Sequence, residues 1–213
     1  MTIEQPQNDG GYLFRDKEPP HTHAYLWKPV VEQLKKNRVR KVFDLGCGNG
    51  ALARHLKELG IETIGCDPSE TGIEFARAAD PEIRLEKGTC YEDLASRFGQ
   101  FDAVVSLEVV EHVYSPAEYA KCVNRLLNPN GIAILSTPYH SYVKNLVLAA
   151  TGKMDAHFTA LWEHGHIKFW SPRTLSILMA KNALEVEEVL RVGRLPILAK
   201  SMIVVARKSK NIG

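Results

Sequence analysis

The chain has 213 residues, 45% of them hydrophobic, which suffices for one sizeable core but not for two full domains. Its 27 basic residues nearly balance 25 acidic ones, and the net charge of +2 lacks the basic footprint of a protein that grips a nucleic-acid backbone. A single domain over residues 1–213 acting on a small molecule is expected. Cys47, Cys66, Cys90 and Cys122 are widely spaced with no CxxC pair, so free thiols of a reducing compartment are expected. The polar start "MTIEQPQNDGG" has no signal-peptide core, and no run approaches the roughly 18 to 20 apolar residues of a membrane span. A cytoplasmic protein is expected, and the basic ending "ARKSKNIG" reads as a solvated tail.

In chain order, "HTHAYLWKPVVEQLKK" spaces Tyr25, Leu26, Val30, Val31 and Leu34 as a helix despite Pro29. "RKVFDLGCG" is a short apolar strand ending at glycines. Helices at "GALARHLKELG", "SETGIEFARAA", "CYEDLASRF" and "PAEYAKCVNRLL" then alternate with strands at "ETIGCD", "IRLEKG", "FDAVVSL" and "GIAILSTP". Such alternation predicts βαβ units and a doubly wound, mostly parallel sheet. After Pro138 the pattern breaks into "YHSYVKNLVLAATGKMDAHFTALWEHGHIKFW", a segment rich in aromatics and histidines and too long for a routine connection. "SPRTLSILMAKNAL" resumes with Ser171 as N-cap and Pro172 at the first helical position, and two strands near "EVEEVLRVG" and "AKSMIVVAR" finish the chain.

Two places carry chemistry. "VFDLGCGNGA" sets Gly46, Gly48 and Gly50 just past the first strand, two positions after Asp44, where the backbone turns sharply and lets a ligand approach. The same letters satisfy the loose fingerprint GxGxxG/A, so the turn alone leaves nicotinamide and S-adenosylmethionine both open. Asp67 ends the second strand, where a carboxylate accepts ribose hydroxyls. The second place, "SLEVVEHV", puts Glu108, Glu111 and His112 in an apolar stretch. If the strand turns into a helix there, the three share one face. Two carboxylates and an imidazole suit magnesium, manganese or a related cation. Without a metal, His112 is the candidate general base.

"VFDLGCGNG", "IGCDPS", "FDAVVSLEVVEHV" and "LLNPNGIAILSTP" together resemble, in order and spacing, the class I S-adenosylmethionine-dependent methyltransferases. The resemblance implies a Rossmann-like sheet of seven strands with the last antiparallel. It implies that Gly46 and Gly48 approach the methionine part of the cofactor and that Asp67 and Pro68 lie at the ribose. Asp44 and Cys47 would complete the turn, Leu107 would sit beside the cofactor, and Thr89 and Cys90 would flank the adenine. Thr89 and Cys90 stand where an acidic residue is common in that family. "LEVVEHV" is similar to the E-x-x-E-H element of ubiquinone-biosynthesis O-methyltransferases, which carry a divalent cation there, and of small-RNA 2′-O-methyltransferases.

In that family an insertion at residues 139–170 covers the active site and implies a helical lid with peripheral membrane or lipid contact. His157, His164 and His166 become candidate further ligands, His166 in "GHIKFW" foremost. Tyr139, Tyr142, Phe158, Trp162, Phe169 and Trp170 become a substrate cover or the insertion's own small core. Residues 1–37 form an N-terminal lid, with His21, His23 and Tyr25 as its polar members. The expectation is O-methylation of a small phenolic or quinone-precursor-like molecule, with Mg²⁺ or Mn²⁺ or with His112. The rivals are a sugar or secondary metabolite, RNA, a non-catalytic cofactor-binding subunit, and nicotinamide chemistry.

Overall fold

The computed structural model describes residues 14, 22–158, 160–162, 165–193, 195 and 198–209. His21, His164 and the side chain of His23 lie outside the described residues. The elements run α1 (His23–Lys36), β1 (Lys41–Leu45), α2 (Ala51–Glu58), β2 (Glu62–Asp67), α3 (Glu70–Ala79), β3 (Leu85–Lys87), α4 (Leu94–Phe98), β4 (Phe101–Leu107), α5 (Pro116–Leu126) and β5 (Leu127–Pro138). After these come α6 (Tyr142–Ala150), α7 (Met154–Phe158), α8 (Pro172–Ala180), β6 (Leu184–Val192) and β7 (Ser201–Lys208).

The strands are apolar on both faces because both are covered, and alternate residues go to opposite sides. Val42, Val105, Ile134 and Val205 meet Leu26, Val30 and Leu34 of α1 and Leu52 and Leu56 of α2. Their neighbours Phe43, Val104, Leu135 and Val204 meet Phe98 of α4, Tyr119 and Val123 of α5, and Leu175 and Met179 of α8.

The sheet order is β3-β2-β1-β4-β5-β7-β6. The chain builds outward from β1 to β3, then starts again on the other side with β4, which pairs parallel to β1. Ligands of such sheets gather at this switch, beyond the carboxyl ends of the strands. β7 runs antiparallel between β5 and β6, as the sequence predicts. Its reversed direction brings its first residue, Ser201, opposite Pro138 at the end of β5, on the same edge as the glycine turn.

One local expectation is corrected. Residues after Leu107 do not continue as a helix; they form a turn before α5 begins at Pro116. The Glu108 N–H is taken by the Ser136 hydroxyl (3.0 Å) and carbonyl (3.2 Å), and the residue adopts φ +55°, a region non-glycine residues rarely visit. The chain is thereby reversed, and the shared helical face of Glu108, Glu111 and His112 does not form.

Among the described residues the 139–170 segment contains two helices, α6 and α7, and its irregular return stretch docks on that turn. Ile167 and Lys168 N–H groups donate to the Glu111 carbonyl at 2.9 and 3.0 Å, and Trp170 Nε1 donates to the Val110 carbonyl at 3.1 Å. The return ends in a capping box. The Thr174 N–H donates to Ser171 Oγ (3.2 Å) and the Ser171 N–H to Thr174 Oγ1 (3.0 Å), with Pro172 opening α8. Replacing Ser171 by Ala is expected to lower the urea unfolding free energy by about 1 kcal/mol with an unchanged slope; an unshifted midpoint would contradict the cap's role.

Candidate active site

The glycine turn fits a cradle. Gly46 (φ +87°) lies so close to Val109 that a Cβ there would stand 2.4 Å from its Cγ2, and a Cβ on Gly48 (φ +52°) would stand 2.5 Å from the Phe14 ring. Only glycine meets both demands, left-handed backbone and close approach. The turn is pinned by Gly46 and Cys47 N–H groups on the Cys66 carbonyl at 2.8 and 3.0 Å. Gly48 N–H donates to Asp67 Oδ2 (2.9 Å) and Ser69 N–H to Oδ1 (2.8 Å). Each oxygen of Asp67 keeps further acceptor capacity, as a ribose diol requires.

Asp44 is 2% exposed and its Oδ2 has no hydrogen-bond partner. Burial, and then the charge of Asp67, push its pKa up to about 7. A buried carboxylate oxygen with no partner among the described residues is unfavourable until a cationic or donor group meets it, which suits a ligand carrying an ammonium. Burial also raises Asp67, against the two N–H groups that favour its charge.

The other candidate cofactor residues stand as follows. The Cys47 side chain packs with Ala53, Ile73 and Leu85, so what it offers a ligand is backbone. Pro68 is exposed at the edge. Thr89 closes a small turn, its Oγ1 accepting from Tyr91 N–H at 3.3 Å and its own N–H donating to Glu92 Oε1 at 2.7 Å. Cys90 packs against the core, and burial lifts its thiol to about 11. Leu107 packs on the α1 side of the sheet. Tyr25 sends its hydroxyl to Ser201 Oγ, 3.2 Å away.

The Gly46–Val109 contact joins this cradle to the acidic turn. Glu111 is 1% exposed, and neither carboxylate oxygen has a hydrogen-bond partner. The Thr137 hydroxyl lies close enough to favour its charge a little without an aligned bond. Burial, and after it the charge of Glu108, hold the Glu111 carboxyl well above the usual range. His112 Nδ1 lies 3.2 Å from the Gly165 carbonyl. A carbonyl only accepts, so Nδ1 carries a proton here. The His166 ring stands 4.8 Å from that of His112. Burial, His112, His157 and Lys144 press its pKa down to about 4, so it is neutral with a lone pair of its own.

One ligand atom each from Glu111, His112 and His166 lies within 4.8 Å of the others. An orphaned carboxylate facing two imidazoles is a donor set that fits a divalent transition ion better than magnesium, whose preference is all-oxygen. Glu108, expected in the same group, is turned toward two hydroxyls: Ser136 Oγ donates to Oε1 at 2.7 Å and Ser201 Oγ to Oε2 at 3.2 Å. Its reversed backbone directs it there. His157 is not in this group; its ring packs on Phe158 and lies 5.9 Å from that of His140.

Of the six insertion aromatics, Trp162 stands edge-on to His112 at 6.0 Å. Phe158 and Phe169 enclose His140, a small core of the insertion itself. Tyr139 is buried with Arg191 over its ring, and Tyr142, 95% exposed, covers nothing. Sequence reasoning missed Ser136, Ser201, His140 and Phe14. A signal existed for the serines, each a polar residue in an otherwise apolar strand. None existed for Phe14, whose place depends on the folded glycine turn.

A model of the methyltransferase-domain family matches residues 17–189. The ubiquinone biosynthesis O-methyltransferase of Bartonella tribocorum is 30% identical over 181 residues, covering 78% of this chain and 72% of that protein. The corresponding proteins of Azorhizobium caulinodans and, mitochondrial in name, of Arabidopsis thaliana are 33% and 32% identical over 75% and 70% of this chain. The chain spans only 64% and 48% of their lengths. Among solved structures, the magnesium protoporphyrin IX methyltransferase of Synechocystis PCC 6803 with bound SAH superposes with a TM-score of 0.63 at 20% identity, over 85% of this chain and 81% of that one. The methyltransferase domain of bacterial CtHen1 superposes with a TM-score of 0.64 at 26% identity, over 84% and 96%. The chain belongs to the methyltransferase-domain family and carries the S-adenosylmethionine-dependent class I fold that its four motifs predict.

Proposed function

We propose that the chain is an S-adenosylmethionine-dependent O-methyltransferase of a small phenolic or quinone-precursor-like molecule, assisted by a divalent cation. The observation that carries the reading is the buried Glu111 carboxylate, without a hydrogen-bond partner among the described residues and beside the His112 and His166 imidazoles, in the turn that packs on the glycine loop. The similar proteins named for ubiquinone biosynthesis support the substrate class.

The reaction forms one C–O bond and breaks one S–CH₃ bond in line, the sulfonium becoming a neutral thioether and the hydroxyl losing its proton. Asp67 would accept from the ribose hydroxyls and Asp44 would meet the ammonium, with the left-handed backbone of Gly46 and Gly48 shaping the turn between them. Glu111, His112 and His166, with Glu108 beside them, would hold the cation, which lowers the pKa of a hydroxyl bound next to it. The Gly165 carbonyl holds His112 through Nδ1, so that Nε2 would be the nitrogen offered to the cation. Trp162, edge-on to the His112 ring and tilted against that of His166, limits the access of water and offers an aromatic wall. The helical segment over residues 139–170 is read as the lid of this cavity, within one domain over 1–213.

Two results are expected. Transfer of labelled methyl from S-adenosylmethionine to catechols and prenylated phenols should vanish with a chelator and return with manganese or magnesium. Activity indifferent to chelator would leave His112 as the base without a metal, and methylation of RNA 3′ ends alone would overturn the substrate class. The second concerns Asp44. Because its pKa is raised in the folded state, the folded chain binds more protons than the unfolded one between the ordinary aspartate range and about pH 7. Its contribution to stability therefore falls as pH rises through that window and levels off above it. Replacing Asp44 by Asn should raise the melting temperature of the ligand-free protein at about pH 8, lose that gain near pH 5, and weaken S-adenosylmethionine binding. An equal effect at both pH values would contradict the buried charge.

A further inference from the structure

Glu108 is the one polar residue of its turn whose carboxylate is fully engaged. Ser136 closes a ring on it, since its Oγ accepts the Glu108 N–H at 3.0 Å and donates its own proton to Oε1 at 2.7 Å. Ser201 gives its single proton to Oε2 at 3.2 Å. A hydroxyl has one proton, so the contact between Tyr25 and Ser201 has a direction: the phenol donates and Ser201 Oγ accepts. Burial first, and the charges of Glu108 and Glu111 in addition, raise the Tyr25 pKa against the bond to Ser201, which keeps the phenol protonated and able to donate.

A directed chain therefore runs Tyr25, Ser201, Glu108, with Ser136 entering from the other side. It gathers α1, the first residue of β7, the end of β5 and the turn after β4 on one carboxylate. The residue at its centre sits in left-handed backbone at φ +55°. Such a conformation costs about 1 to 3 kcal/mol and persists where the surroundings impose it; the closed ring with Ser136 is what imposes it here. Glu108 opens the turn that carries Glu111 and His112 three and four residues on, so the bonds that hold its backbone and carboxylate also hold that turn in place.

We propose that Ser136, Ser201 and Tyr25 are positioning residues that fix Glu108 at the head of the turn carrying Glu111 and His112, and so make cation affinity depend on the packing of α1 against the start of β7. The inference rests on the cation reading above. The first helix and the acidic turn are thereby linked through hydroxyl groups.

The test is manganese(II) binding to the full chain without cofactor or substrate, followed by the loss of the free-ion electron paramagnetic resonance signal. Ser136→Ala and Ser201→Ala should each weaken binding by about 10-fold, the usual effect of removing a group that orients a ligand. Ser201→Thr, which keeps the hydroxyl, should restore wild-type affinity, and Tyr25→Phe should weaken binding by a smaller factor, about 3-fold, as the loss of one neutral hydrogen bond implies. A purely structural role would lower the melting temperature of these variants and leave manganese affinity alone. Wild-type affinity in both alanine variants, with binding lost in Glu111→Gln, would overturn the positioning chain and leave the cation reading standing. No manganese binding by the wild type would overturn both. If an alanine variant fails to fold, Tyr25→Phe, which keeps the ring in place, decides: unchanged affinity there overturns the chain.

Discussion

The reversal at Glu108 is the constraint on which the site depends. The Ser136 hydroxyl and carbonyl capture its N–H at the moment β4 ends, and the chain turns back on itself where a helix would have carried it away. The turn places Val109 against Gly46 and aims Glu111 inward. It also exposes the carbonyls of Val110 and Glu111, which Trp170, Ile167 and Lys168 then bond. Through those bonds the insertion delivers Gly165 and His166 to His112. One local backbone choice thus assembles groups separated by some sixty residues in sequence, and the mixed sheet makes it available by setting β4 beside β1 and β5.

Charge at this edge follows a single logic. Asp44, Asp67, Glu108 and Glu111 are all carboxyls held above their ordinary range, burial being the largest cause for each. His166 and His140 are pressed the other way, to about 4, by burial as well. An isolated buried carboxylate is costly and a buried neutral imidazole is not. The arrangement favours positive ligands: an ammonium and a sulfonium at the cradle, a divalent cation at the turn. Net charge close to zero over the whole chain hides this concentration of acidic groups at one end of the sheet.

Much of this was legible in the sequence. Alternating apolar strands and amphipathic helices forecast the doubly wound sheet, because burial on both faces demands long apolar runs, and the glycines after β1 marked the ligand edge. The sharp turn at Gly46 and Gly48 and the place of Asp67 at the end of β2 needed only the order of elements. The path of residues 108–112 was not legible. It depends on Ser136, which is 28 residues away and meets Glu108 only through the pairing of β4 with β5. For the same reason Glu108 was grouped with Glu111 and His112, when two serines on neighbouring strands hold it. The inward side chain of Cys47 was not legible either, since a residue of such a turn can give its side chain to the core and leave its backbone to the turn. His166 could be proposed but not placed from sequence, since its position depends on how the insertion folds back.

The claim at the centre of this account is that Glu111, His112 and His166 form a cation site. Crystals grown with manganese and measured at wavelengths on either side of the manganese absorption edge test it without reference to any substrate. The account predicts one anomalous peak within ligand distance of the Glu111 carboxylate, His112 Nε2 and a ring nitrogen of His166. A strong peak elsewhere, or none with Glu111 still buried and unpaired, would contradict it.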